Sequence, residues 1–155
     1  MILKLSDIMD YTLYECAQEK VLVTKEWKLI ENYADLEALR FNQEVDLSLS
    51  ERIEDKEATV APLLLIPIIE NAFKYGLIES VSRPLIRINL EVNNGTLTLK
   101  TKNSSSNKTK RKPNHKNGIG LENLRKRLSI EYPSRHQLII DESEEYFSVT
   151  LTIVL

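Results

Sequence analysis

Four polar side chains stand together in a stretch that otherwise reads as core, Pro67-Ile68-Ile69-Glu70-Asn71-Ala72-Phe73-Lys74-Tyr75-Gly76. Glu70, Asn71, Lys74 and Tyr75 lie one and four positions apart, and on an α-helix those spacings bring them to one edge. A carboxylate and an amide suit a hard divalent cation, and an ammonium one turn later suits phosphate. Far downstream, Asn117-Gly118-Ile119-Gly120-Leu121-Glu122-Asn123-Leu124 leads two glycines into a helix. That arrangement lets backbone N–H groups approach an anion. Each signal has a plainer reading by itself, a charged end to a buried helix or a Gly-x-Gly turn. Together they point to a Mg2+-nucleotide site.

The elements that must position these residues follow from the hydrophobic pattern. Ile2, Leu5, Ile8, Met9, Leu13 and Cys16 keep helical time over residues 1–17, which predicts a core-facing helix end with nothing capping its start. Thr24 is placed to cap a second helix running to about Asn42, with Trp27, Ile30, Tyr33, Ala34, Leu36 and Leu39 on its apolar face. Val45 to Ser50 alternates as a strand, and Glu51 to Glu57 reads as a charged loop. The segment Val60 to Gly76 predicts a buried helix. Pro62 suits its first turn, Pro67 kinks or restarts it, and Gly76 ends it. Residues 84–92 and 96–102 alternate around Asn93-Asn94-Gly95-Thr96, a hairpin signal. Residues 103–117 are Asn, Ser, Lys, Arg, Pro and His without an apolar side chain and read as a mobile loop. A helix over about 121–131 should turn Leu121, Leu124, Leu128 and Ile130 inward. Residues 136–141 and 146–154 read as a closing antiparallel pair. The order predicts an α+β sandwich, with helices on one face of a mixed sheet.

Size and composition bound the rest. The chain has 155 residues, 42% hydrophobic and 28% charged, with a net charge of −2, ordinary for a globular domain. The single cysteine excludes an intrachain disulfide and a cysteine zinc cluster. No apolar run reaches the roughly 18 residues that cross a bilayer, and no signal peptide is evident at the start. The basic run Lys108, Lys110, Arg111, Lys112 and Lys116 has no interleaved aromatic residues to stack on bases, so nucleic acid is not the expected partner.

The stretch Pro62 to Gly76 resembles the N box of LytS/YehU-type sensor histidine kinases, within the GHKL superfamily of gyrase, Hsp90, histidine kinases and MutL. Gly118-Ile119-Gly120-Leu121-Glu122-Asn123-Leu124-Arg125-Lys126-Arg127-Leu128 resembles that family's second glycine box and the helix after it. Leu29 to Phe41 is similar to the helix that opens its ATP-binding domain. The resemblance covers about residues 5–155 and implies a Bergerat-type two-layer α/β sandwich, with a mixed, mostly antiparallel sheet and a long ATP lid over 104–117. It further implies that residues 1–20 are the tail of a dimerisation helix with a linker, and that 21–155 are the catalytic domain.

The family's roles fall on particular positions here. Asn71 matches the asparagine that coordinates Mg2+, Lys74 contacts phosphates, and Tyr75 borders the nucleotide. Gly118, Ile119, Gly120 and Leu121 line the phosphate side of the lid. Asn103 takes the place of the aspartate that accepts from the adenine amine, and the glycines that normally follow are replaced by Ser104-Ser105-Ser106. A general base is found four residues before the asparagine in several GHKL ATPases, but here that position is Pro67. Glu70 is then the residue that could assist a nucleophile or reach a metal-bound water. The two histidines, His115 and His136, lie outside a phosphoacceptor context.

The resemblance thus implies the ATP-binding domain of a two-component histidine kinase. It would use ATP and Mg2+ to phosphorylate a histidine of a missing upstream segment and would not autophosphorylate alone. Partners would be its own phosphoacceptor domain, a second copy in the full-length dimer and a response regulator. The setting would be the cytoplasmic part of a membrane-anchored bacterial protein. Two other readings stay open: a GHKL-fold module for dimerisation or docking without effective ATP binding, and a basic-loop nucleic-acid binder.

Overall fold

The structure is a computed structural model, and it describes residues 9–11, 13–41, 44–77, 83–105 and 119–155. The expected lid over 104–117 therefore falls, from residue 106 onward, outside the described residues.

Residues 9–11 and 13–14 are helical and end in a 3-10 turn, Glu15–Ala17. Met9 and Leu13 do not face a core here, as the periodicity predicts; they are 55% and 68% exposed. The two-residue strand β1, Val21–Leu22, pairs antiparallel with β3, Thr59–Val60. Helix α1, Val23–Arg40, follows at once. Thr24 is not its cap, because the helix begins a residue earlier and no side chain caps it. The N–H of Val23 instead donates to the Ala58 carbonyl at 2.9 Å, so the small sheet supplies the partner that a cap would provide. Val23, Trp27, Ile30 and Ala34 are buried along one stripe. Leu39 is exposed rather than inward, since the last turn of α1 runs past the buried stripe.

Strand β2 runs Asp46–Ile53, longer than the alternation predicts. Its charged end, read as a loop, stays in the ladder because Ile53 is buried opposite Val92. A turn over Pro62 and Leu63 then leads into α2, Ile66–Gly76. Pro62 thus precedes the helix, and Pro67 sits in its first turn, where a missing N–H costs nothing. Gly76 is the last helical residue and Leu77 the cap, its N–H reaching the Phe73 carbonyl at 3.1 Å.

Strands β4, Leu85–Asn93, and β5, Thr96–Ser104, form the expected hairpin. Asn94 and Gly95 have φ of 49° and 71°, the left-handed pair that a two-residue turn of matching twist requires. Asn103 and Ser104, read as loop, belong to β5. Helix α3, Ile119–Glu131, buries Leu121, Leu124 and Leu128. Ile130 is 79% exposed, not inward: two residues past Leu128 is more than half a turn round the helix. Strands β6, His136–Glu142, and β7, Tyr146–Val154, complete the fold.

The main sheet has the order β2-β4-β5-β7-β6, with β2 parallel to β4 and every other pair antiparallel. A parallel pair needs a crossover, and α2 lies in it. Alternate residues of the inner strands, among them Ile86, Ile88, Leu90, Leu97, Leu99, Val149 and Leu151, face the helices and form one core with them. The result is the α+β sandwich with a mixed, mostly antiparallel sheet.

Candidate nucleotide site

The apolar residues of α2 fix its rotation. Ile68, Ile69, Ala72 and Phe73 are fully buried, which leaves Glu70 and Lys74 on the outer edge and Tyr75 half-buried. Asn71 stands between these two faces. It is 8% exposed, and its Nδ2 is buried without a hydrogen-bond partner. The Lys74 ammonium lies 5.3 Å from the centre of the Tyr75 ring, a cation–π contact. Tyr33 of α1 meets Phe73 edge-on, with ring centres 5.9 Å apart. Burial raises the Tyr33 hydroxyl pKa well above its ordinary value, and the charges of Glu37 and Glu70 add to this.

The C-terminal end of α2 abuts β5. A Cβ on Gly76 would lie 2.8 Å from the Cβ of Asn103, so this approach requires a residue without one. Asn103 is 1% exposed. Its Nδ2 donates to the Ser104 carbonyl at 2.9 Å, while its Oδ1 is buried with no partner. Leaving a buried acceptor dry costs about 1–3 kcal/mol, which an incoming N–H donor would recover. Beyond Asn103 the chain stays in the sheet where glycines would release it. Ser104 pairs with Tyr146, its Oγ accepts from the Leu85 N–H at 2.8 Å, and the Ser105 N–H donates to the Glu145 carbonyl at 2.7 Å.

Of the glycine-box residues, Gly118 lies outside the described residues, as does the side chain of Ile119. Gly120 is exposed in the first turn of α3, with open space where a Cβ would stand. Leu121 is in the core, which leaves only its backbone for a ligand. The N–H groups of this first turn have no partner within the helix. Helix α3 packs against α2.

The fit to a Mg2+-nucleotide rests on the two orphaned amide atoms. The Asn71 amide can present its oxygen to a cation and its Nδ2 to a phosphate oxygen, and Asn103 Oδ1 can accept from a purine amine. Among the described residues no group of three or more His, Cys, Asp or Glu side chains is arranged to hold a metal. A cation here would lean on Asn71 and on the phosphates themselves. A separate trough of about 540 Å3, lined by Ser48, Arg87, Lys100, Lys102 and others, opens on the strand face away from the helices and shares none of these residues.

Three residues that the sequence reading passes over anchor the start of α2. Glu26 is fully buried. Its Oε1 accepts from the Leu63 N–H at 2.7 Å and from the Tyr11 hydroxyl, and its Oε2 accepts from the Leu65 N–H at 3.4 Å. Burial raises its pKa more than these bonds, and the charge of Arg127, lower it. Tyr132 accepts from the Ala61 N–H at 2.9 Å. The signal for Glu26 is in the sequence: it stands within the stripe Val23, Trp27, Ile30, where a carboxylate must find donors. His136, by contrast, is held structurally, its Nδ1 2.7 Å from the Tyr132 carbonyl oxygen.

Comparison with known proteins agrees with this architecture. The family described as Histidine kinase matches residues 1–45. Sensor histidine kinase YesM of Bacillus subtilis (strain 168) is 28% identical over 137 residues, which cover 86% of this chain and 24% of that protein. The chain thus spans about a quarter of the length of this relative. Among solved structures, the nucleotide-free catalytic domain of histidine kinase ThkA superposes with a TM-score of 0.60 at 15% identity, covering 87% of this chain and 93% of that one. Histidine kinase ThkA in complex with the response regulator protein TrrA gives 0.56 at 15% identity, covering 98% and 47%. At that identity the likeness is one of fold.

Sequence and structure point the same way: the fold is that of histidine-kinase catalytic domains, and the family match over residues 1–45 is to histidine kinases. In sequence the chain is similar to sensor histidine kinases such as YesM. No helix among the described residues is long and apolar enough to cross a membrane.

Proposed function

We propose that residues 21–155 bind Mg2+-ATP and transfer its γ-phosphate to a histidine on a segment upstream, with residues 1–20 as the tail of the dimerisation helix. The observation that carries this reading is the pair of orphaned amide atoms, Asn71 Nδ2 on α2 and Asn103 Oδ1 on the strand that the end of α2 abuts. Asn103 receives the purine amine. Asn71 orients the phosphates and holds the cation, and Lys74 with the N–H groups at Gly118, Ile119, Gly120 and Leu121 balances phosphate charge. Mg2+ supplies charge neutralisation along the phosphates. Catalysis is then mainly positioning. Glu70, exposed on the same helix edge as Lys74, is the group that would take the proton of the acceptor imidazole. In the full-length protein the phosphoacceptor domain, a second copy and a response regulator are the partners, in a membrane-anchored bacterial kinase whose catalytic part is cytoplasmic.

Calorimetric titration with a Mg2+-loaded, non-hydrolysable ATP analogue tests this. Wild type should bind, and Asn71→Asp should abolish binding by setting a carboxylate against the phosphates. Asn103→Leu, which removes the buried acceptor at similar volume, should weaken it roughly fivefold, about 1 kcal/mol for one hydrogen bond. No heat at millimolar analogue, with the protein folded, overturns the reading. That outcome, with no thermal shift, would favour a docking module without nucleotide. The continuation of β5 through Ser104 in place of glycines supports this second reading.

A further inference from the structure

We propose that Tyr11 and Glu26 are positioning residues that carry the state of the segment preceding the nucleotide domain to the start of α2. What α2 then does with that signal rests on the proposed function.

The helix bearing Glu70, Asn71 and Lys74 has no side-chain cap of its own at Leu65. It is preceded by Leu63, whose φ of 55° lies in the left-handed region, a conformation that costs a non-glycine residue about 1 kcal/mol or more. Both problems are met by one carboxylate from α1. Glu26 takes the N–H of Leu63 and the N–H of Leu65, holding the strained turn and capping the start of the helix.

The third donor comes from elsewhere. Tyr11 lies in the helical segment ahead of the domain, and its hydroxyl reaches the same oxygen, Oε1, that holds Leu63. Besides this bond, the segment is tied to α1 by the exposed ion pair Lys25–Glu15 at 2.6 Å. Under it lies a hollow of about 150 Å3, lined by Tyr11, Lys25, Lys28, Leu29 and Asn32. Among the described residues the contact is a polar latch beside a hollow. When the segment shifts, Oε1 loses its donor from outside the domain, and the carboxylate is held less firmly against the turn that launches α2. A purely structural cap would need no donor from outside the domain.

Hydrogen exchange on the 155-residue chain, read over residues 60–76, tests the relay. Tyr11→Phe removes one hydroxyl and should speed exchange at Leu63, Leu65 and the first turn of α2 about fivefold, the equivalent of one hydrogen bond. Tyr14→Phe, at a position 72% exposed, should leave it unchanged. Glu26→Gln keeps the volume and part of the bonding, and combined with Tyr11→Phe it should show a non-additive effect, as expected of one pathway. The affinity for the Mg2+-loaded ATP analogue should fall several-fold in Tyr11→Phe while the urea unfolding midpoint hardly moves. Faster exchange confined to residues 9–17, or a fall in global stability with α2 and the analogue affinity unchanged, overturns the proposal. If wild type binds no analogue, the nucleotide reading fails, and the exchange arm still decides whether the latch reaches α2.

Discussion

Asn103 and Gly76 are a matched pair. The side-chain carbonyl of Asn103 is buried without a protein partner, and the backbone of Gly76 is packed against the stem of that same side chain. Alanine is the better helix former by about 1 kcal/mol, so Gly76→Ala would be stabilising on propensity alone. We expect the reverse. The added methyl meets the Asn103 Cβ at 2.8 Å, a distance that side chains do not adopt, and either α2 or β5 must shift. Overpacking of this kind costs about 1–3 kcal/mol, to be read from urea unfolding midpoints. An unchanged or higher midpoint would mean that the contact yields freely. Gly120 offers the contrast, since open space surrounds the place of its missing Cβ and only a ligand would notice a change there. Sequence spacing exposes Asn71 and Lys74 as a polar edge. It says nothing of the clash between Gly76 and Asn103, 27 residues apart, which exists only once strand and helix meet.

At the scale of elements, α2 owes its start to partners far away in sequence, Glu26 on α1 and Tyr132 just beyond α3. The apolar run from Val60 marks where a helix must be buried, but the run alone cannot say that the first residues form a turn held by a distant carboxylate. That carboxylate has a pH signature. Burial raises the Glu26 pKa above its ordinary value of 4.5, so the folded chain holds this proton more tightly than the unfolded chain. The group's contribution to stability is therefore full at acid pH and is lost as pH rises from 4.5 through the folded value. Urea midpoints of wild type and Glu26→Gln, compared as pH is raised, should show the wild type losing ground relative to the variant. A constant difference would contradict the burial of a carboxylate there. Asp46 acts oppositely: its hydrogen bond to Arg87 lowers its pKa, and the stability this brings is lost only as pH falls below the usual carboxylate range.

At the scale of the whole molecule, stability rests on the central strands. Leu99, fully buried on β5 between β4 and β7, should cost about 2–5 kcal/mol when cut to alanine. Ile130→Ser, on the outer face of α3, should stay within about 0.5 kcal/mol, and denaturant unfolding of the two variants checks both. Local chemistry written in the sequence determined much of this protein. The Asn94-Gly95 turn set one hairpin, because few residues accept left-handed φ, and the stripes of Leu121, Leu124 and Leu128 and of Trp27, Ile30 and Ala34 marked the helices and their inward faces. Burial periodicity also brought Asn71 to the edge of α2. Tertiary structure alone decided that Met9, Leu13, Leu39 and Ile130 stay outside, that β2 keeps pairing through charged residues, that Asn103 remains in the sheet, and that Glu26 is sealed inside. A hydrophobic pattern reports which residues would gain from burial, but how far the core extends, and which buried polar groups find partners, is set by segments distant in the chain.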